Sequence, residues 1–306
     1  MIASAVIEVA TARTVPLICA AIFEGDIEVW DLRSQQKVGE FAALFAPGAK
    51  NLAVHPDGAS VVTGVCASGS IASYKLPNGG LMWRRGRMTY PAWTRFDSSG
   101  RCVSWTVDRK RVERADASTG RTVEVREDSV DYIEGPLGLA LTVPSTAPNY
   151  LLRSDHEISI PKLTFAILDV AFGSGCLCIT ESGGPVRCID CLTGAERWRY
   201  VPPDGSHALR LHYSRPDGFF YGVVWQYQKG LFRHLARFGP ETGQPVLVCN
   251  LKSWDEAFNE PTQQLVTSAG EVIELGTGKM VAELAFPRRE YPDSYESFLK
   301  EEGFTE

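Results

Sequence analysis

Four cysteines fall within sixteen residues: Cys176, Cys178, Cys188 and Cys191. Four thiolates can hold Zn²⁺ tetrahedrally. Only Cys188 and Cys191 have the Cys-x-x-Cys spacing of a zinc knuckle, however. Cys176 and Cys178 stand two apart, which on a strand puts them on one face. A free cysteine otherwise behaves as a small buried hydrophobe. The spacing favours packed thiols, with a metal or redox pair as the alternative. The five histidines, His55, His156, His207, His212 and His234, form no His-x-His or His-x-x-x-His pair. Gly-x-Ser-x-Gly is absent, and Gly173-Ser174-Gly175 reads as a strand–strand turn rather than a nucleophile elbow. Gly183-Gly184-Pro185 has no following helix to make a phosphate loop. These residues assign no catalytic group, no metal and no cofactor.

A second cluster could bind rather than react. Trp83-Arg84-Arg85-Gly86-Arg87-Met88-Thr89-Tyr90-Pro91-Ala92-Trp93 concentrates arginine and aromatic residues, the types that dominate interface hot spots. On a chain of net charge −6 a local run of arginines would steer acidic partners. Arg85, Arg87 and Tyr90 are expected to be exposed, and Trp83 and Trp93 to pack between elements. Corresponding segments carry Arg199-Tyr200 and Lys252-Ser253-Trp254-Asp255. The candidate partner-binding set is therefore Arg84, Arg85, Arg87, Tyr90, Tyr200, Trp254 and Asp255. Trp225 and the hairpin after it are expected on the opposite rim.

The elements that position these residues follow a repeat. An acidic or polar residue, Ser/Thr/Asn-Gly and an apolar strand recur as Leu76-Pro77-Asn78-Gly79, Asp116-Ala117-Ser118-Thr119-Gly120, Asp190-Cys191-Leu192-Thr193-Gly194, Glu241-Thr242-Gly243 and Thr277-Gly278. Gln35 holds the equivalent place after Trp30-Asp31. The spacings are 44, 41, 74, 49 and 35 residues, and the 74-residue step is twice 37. A hidden unit is expected there, with its turn near Ser154-Asp155-His156-Glu157. Each unit holds four strand-like runs, for example Ser4–Val9, Pro16–Phe23, Asp26–Leu32 and Gln36–Phe41. His55-Pro56-Asp57-Gly58 and Arg215-Pro216-Asp217-Gly218 are hairpin chemistry, because glycine supplies positive φ. Four-stranded units at this spacing predict an all-β, seven-bladed β-propeller of four-stranded antiparallel blades over 1–286. Unit one holds all four of its strands, so the termini are expected to meet by packing. A tail, 287–306, follows, in which Asp293-Ser294-Tyr295-Glu296 reads as a capping box opening a short C-terminal helix.

These residues resemble the WD-repeat propellers and, more loosely, the quinoprotein-like repeats. Trp30-Asp31 supplies the Trp-Asp dipeptide. Ile189-Asp190-Cys191-Leu192-Thr193-Gly194-Ala195-Glu196-Arg197-Trp198 matches the quinoprotein-type phrase, and Asn78-Gly79-Gly80-Leu81-Met82-Trp83 matches it in part. The resemblance implies a fold, since the matching residues are structural. Calcium ligands and cofactor-clamping residues of a quinoprotein enzyme are not recognisable.

Hydrophobic residues make up 44% and charged residues 22%, as in a folded globular chain. The acidic balance argues against general nucleic-acid binding. No apolar run reaches the length of a membrane span, and no leader is evident, so a cytoplasmic location is expected. The reading is a non-enzymatic propeller that binds a protein partner through rim loops, one form being an immunity-type inhibitor of a toxin or enzyme. The alternative is a hydrolase, lyase or quinoprotein-like oxidoreductase with its site at the central channel. Few acids, histidines or metal ligands are expected on the innermost strands.

Overall fold

The computed structural model describes residues 2–290 apart from 24, 44–51, 66–69, 87–92, 109–110, 128, 136–138, 145–150, 154–156, 162, 164–166, 174, 204–205, 227–231, 252 and 254. After β1 (Ile2–Ser4) the chain makes blade one from β2 (Val6–Thr11), β3 (Leu17–Ile22), β4 (Asp26–Asp31) and β5 (Gln36–Ala42). Blade two is β6 (Leu52–Val54), β7 (Ser60–Val65), β8 (Ser70–Lys75) and β9 (Gly80–Arg85). Blade three is β10 (Thr94–Phe96), β11 (Cys102–Asp108), β12 (Arg111–Asp116) and β13 (Thr122–Glu127). Blade four is β14 (Ser129–Glu134), β15 (Ala140–Pro144), β16 (Leu151–Arg153) and β17 (Glu157–Ser159). Blade five is β18 (Ile167–Gly173), β19 (Cys176–Glu181), β20 (Val186–Asp190) and β21 (Glu196–Tyr200). Blade six is β22 (Ser206–Ser214), β23 (Phe219–Gln226), β24 (Phe232–Phe238) and β25 (Pro245–Leu251). Blade seven is β26 (Glu256–Asn259), β27 (Gln264–Thr267), β28 (Glu271–Glu274) and β29 (Met280–Glu283), and β30 (Arg288–Glu290) follows. Among the described residues these make seven four-stranded antiparallel sheets, each in sequence order. The hidden unit falls where the spacing puts it, with Arg153 opposite Glu157.

The ring is closed by backbone pairing, not by packing alone. β1 and β30 form a two-stranded ribbon, with Ile2 opposite Glu290 and Ser4 opposite Arg288. Ala5 continues it by donating its N–H to the Pro287 carbonyl at 2.8 Å. Ser4 therefore belongs to the closing ribbon and blade one starts at Val6. The start of the tail is the other half of that ribbon. The C-terminal helix read at Asp293 lies outside the described residues.

Burial explains the composition of each strand position. The two middle strands of a blade are covered on both faces by its neighbours. They read as apolar runs, such as Leu17-Ile18-Cys19-Ala20-Ala21-Ile22 in β3, buried from Ile18 onward. The outer strands meet solvent and carry mostly exposed residues, as in β5 and β13. The apolar clusters accordingly sit between blades. One joins Cys178, Cys188 and Trp198 of blade five to Phe220, Val224 and Phe238 of blade six. Another joins Trp30 and Ile18 of blade one to Val266 and Val272 of blade seven.

The repeated turn is where one blade touches the next. Its acid caps the turn: Asp116 Oδ1 accepts from the Ser118 and Thr119 amides and hydroxyls, and Asp190 Oδ1 from the Leu192 and Thr193 amides. Its glycine has positive φ, +68° at Gly120 and +63° at Gly243. Gln35, the non-glycine equivalent, also has positive φ, at 57°. The glycine further leaves room for the outer strand of the preceding blade. A Cβ on Gly120 would stand 2.7 Å from the Trp83 ring, and one on Gly243 would be closer still to Trp198. Both indoles are fixed across the same joint, Trp83 Nε1 donating to Ala117 O and Trp198 Nε1 to Pro240 O, each at 2.8 Å.

Gly120→Ala and Gly218→Ala separate the two demands. Gly218 also has positive φ, but nothing lies within 4 Å of its Cβ direction. Gly218→Ala is expected to cost about 1–2 kcal/mol in urea unfolding. Gly120→Ala is expected to cost about 1–3 kcal/mol more. Equal losses would show that Trp83 does not constrain the turn.

Candidate functional site

The innermost strands of all seven blades surround a central cavity of about 350 Å³. Its lining contradicts the expectation of few acids, while a single histidine, His212, is among the described lining residues. Glu8, Asp97, Asp169, Glu256, Glu260 and His212 all face it, with Arg13, Arg95 and Arg210. The register explains why the sequence hid three of them, Glu8, Asp169 and Arg210. β2, β18 and β22 each carry a shift in pairing, at Val6/Glu8, Ile167/Asp169 and Ala208/Arg210. Such a bulge re-aims one residue and breaks the two-residue alternation that would have assigned it a face.

The acids of the channel are tied to neighbouring strands. Glu8 accepts from the Leu52 amide (3.2 Å), joining blades one and two. Asp169 accepts from the Leu211 amide (3.0 Å), joining five and six. Asp255, at the entry to β26, accepts from Val9 N (2.8 Å) and pairs with Arg210 (2.5 Å), joining seven to one and to six. Glu256 pairs with Arg233 (3.0 Å) and Glu260 with Arg215 (3.2 Å). Asp97 takes Arg114 (3.1 Å) and the Cys102 amide within blade three. Burial alone would lower the Arg210 pKa, but Asp255, Asp169 and Glu256 outweigh it and hold it above the usual arginine range. His212 stacks on Phe258, ring centroids 5.1 Å apart. Burial, then the Arg13 charge, push its pKa down to about 4.

The sequence-predicted partner residues divide. Arg84 is exposed on β9. Arg85 is not a free anchor: it pairs with Glu113 at 2.6 Å, donates to Gly120 O and Thr122 Oγ1, and lies over the Trp105 ring. It straps blade two to blade three, because the outer strand's end faces the next blade's third strand. Trp83 packs between blades as expected. Tyr200 is half-buried against Phe238, with ring centroids 5.6 Å apart, and burial pushes its phenol pKa up. The next residue, Val201, is 67% exposed. Asp255 is occupied by the inter-blade bonds above. Arg87, Tyr90 and Trp254 lie outside the described residues. The hairpin after Trp225 leaves from the same rim as these segments, not the opposite one. Gln226 pairs with Phe232 and Leu251 with Arg233, so the second and fourth strands of blade six end at one edge.

The four thiols are core residues. Cys178 stands opposite Cys188 across β19 and β20, and both are fully buried. Hydrogen bonding with Cys188, then burial, push the Cys176 thiol up; burial pushes Cys178 up, and Cys191 to about 12. They are protonated hydrophobes at neutral pH. Among the described residues no group of three or more Cys, His, Asp or Glu is placed to hold a metal ion.

No protein-family model matches the chain. No curated protein matches its sequence either. Its fold does have relatives. Saccharomyces cerevisiae Sqt1 superposes with a TM-score of 0.59 at 12% identity, covering 87% of this chain and 94% of that one. The RRP9 WD40 repeats give 0.67 at 13% identity, covering 94% and 95%. U3-55K gives 0.67 at 12% identity, covering 92% and 94%. The chain has the fold of the WD40 repeat propellers.

Two outcomes follow from these placements. Arg85→Ala is expected to lower unfolding free energy by about 1–3 kcal/mol, whereas Arg84→Ala stays within about 0.5 kcal/mol; thermal and urea unfolding of the pair decides it. For His212, the folded pKa lies below the ordinary 6.5, so the unfolded chain binds the proton more tightly. Its contribution is whole above pH 6.5 and is lost as pH falls towards 4. His212→Phe should flatten the fall in urea midpoint across that window, and an unchanged slope would remove His212 as its source.

Proposed function

We propose that the chain is a non-enzymatic, cytoplasmic propeller that binds a partner protein through the rim segments leading from each outer strand to the next blade. The observation that carries this is the state of the channel. Its described acids are spent on neighbouring amides and arginines, and its histidine, His212, is stacked on Phe258. Val201, just past β21, and Arg84, near the end of β9, are exposed, and the sequence that follows β9 and β25 supplies Arg87, Tyr90 and Trp254, types enriched at hot spots. Burial of such anchors would set affinity, and the arginines would draw an acidic partner surface. The narrower form of this reading is stoichiometric inhibition of a toxin or enzyme encoded beside it.

The test is purification from the native host with intact-complex mass spectrometry. A stoichiometric protein partner is expected, lost on Arg84→Glu with Arg87→Glu and Tyr90→Ala. A chain that travels alone, or one carrying a metal or small cofactor, would sink the binding reading. A partner retained by the triple variant would move the interface off this rim.

A further inference from the structure

A buried polar atom without a partner is costly, so a folded protein keeps one where water or a ligand meets it. Two such atoms border the central cavity. Thr94, the first residue of β10, is 5% exposed, and its Oγ1 makes no hydrogen bond within the protein. His212 Nε2, on β22, is likewise buried and without a partner. Both residues line the cavity. Arg13 lines it too and is exposed, so it stands at the mouth. Among the described residues its guanidinium makes no hydrogen bond or ion pair, and Glu260 relieves its charge only through space. Arg13 lies close enough to His212 to act on it, second only to burial, in lowering its pKa.

The acids of the channel are already matched. Asp97, Asp255, Glu256 and Glu260 each pair with an arginine, and Glu8 and Asp169 accept from backbone amides. What stays open is a set of donors: the Arg13 guanidinium, the Thr94 hydroxyl and an imidazole that, neutral at pH 7, can turn an N–H to the cavity. The wall beside them is apolar, with Val54, Phe96, Ile133 and Phe258. An apolar wall with a few polar groups is the usual make-up of a small-molecule site, and about 350 Å³ falls at the small end of the range of about 300–1,000 Å³ for such sites.

We propose that the channel binds a compact organic anion, its carboxylate or phosphate head on Arg13 and His212 Nε2, its apolar body along Phe96 and Phe258, and Thr94 Oγ1 giving a further hydrogen bond. Charge selects the anion. Arg13 is a cation that can only donate, so an ammonium head would meet like charge, whereas an oxyanion accepts from all three open groups. The hydroxyl and the imidazole nitrogen detract from the stability of the empty ring, and a ligand that binds only the folded chain restores it. The ligand exchanges through the mouth at Arg13 and is not a resident cofactor. This stands apart from the rim reading, which uses other residues.

The test is calorimetric titration of the purified full chain with phenylacetate, phenyl phosphate and 2-phenylethylamine, which share a ring and differ in the head. One-to-one binding of phenylacetate or phenyl phosphate is expected, at least roughly tenfold tighter than of the amine, and the tighter of the two identifies the head. Arg13→Gln should weaken it at least roughly tenfold and Thr94→Val roughly fivefold. Arg33→Ala, at an exposed arginine elsewhere, should leave it unchanged. Thermal unfolding without probe checks that the variants fold. Thr94→Val removes the idle hydroxyl and should be at least as stable as the parent, so it decides the matter if Arg13→Gln does not fold. If neither anion binds, or the amine binds as well, water alone meets the idle atoms and the proposal is overturned. Binding that Arg13→Gln and Thr94→Val both leave intact overturns it too.

Discussion

The structure depends on one contact repeated around the ring: at five of its seven joints the outer strand of one blade presses on the glycine turn of the next. Phe41 meets Gly79, Trp83 meets Gly120, Ile158 meets Gly194, Trp198 meets Gly243 and Val248 meets Gly278. The contact is directional, running always from one blade to its successor. It sets the distance between neighbouring sheets, and with it the apolar clusters that fill the gaps. The recurring phrase is thus less a blade signature than a joint signature. The acid folds the turn, the glycine clears space on it, and the neighbour's side chain occupies the space.

That is also why so much of the fold was readable. Gly120 and Gly194 are needed for both backbone and steric reasons, so they mark the chain at the spacing of the blades. Even the faint fourth unit could be located, because its neighbours fix where its turn must come. The channel was far less legible. Glu8, Asp169 and Arg210 sit at pairing shifts, and a strand with one extra residue no longer tells which face a side chain takes. Arg85 was misjudged for a different reason. Its sequence neighbours suggest a solvated basic run, but Glu113 and Thr122, which hold it, are 28 and 37 residues away and belong to another blade. Contacts across a joint leave no local trace in the sequence. The thiols of blade five were legible in part: the two-residue spacing of Cys176 and Cys178 favoured one face of a packed strand and left a metal or redox pair as the alternative.

The charges inside the ring deserve the same reading as the apolar clusters outside it. Near the axis the inner strands bring acids and arginines together, and polar bonds join neighbouring blades there. Asp255 alone touches the backbone of blade one and the guanidinium of blade six. Removing one partner would leave the other buried without compensation, which costs more than the pair contributes when intact. The middle of the propeller is therefore held by pairs and the periphery by rings and glycines.

Ile2 lies opposite Glu290, and every blade is drawn from one unbroken stretch of chain. The two ends of the fold are therefore neighbours, and no blade needs a strand borrowed from far away. Joining Ile2 to Glu290 by a short linker and opening the chain between two other blades would leave every blade and every joint in place. Circular permutation at an inter-blade segment preserves the sheet order and changes only which joint is closed by the ribbon. The order of the blades along the chain is then a matter of where translation starts, while the ring itself has no first blade.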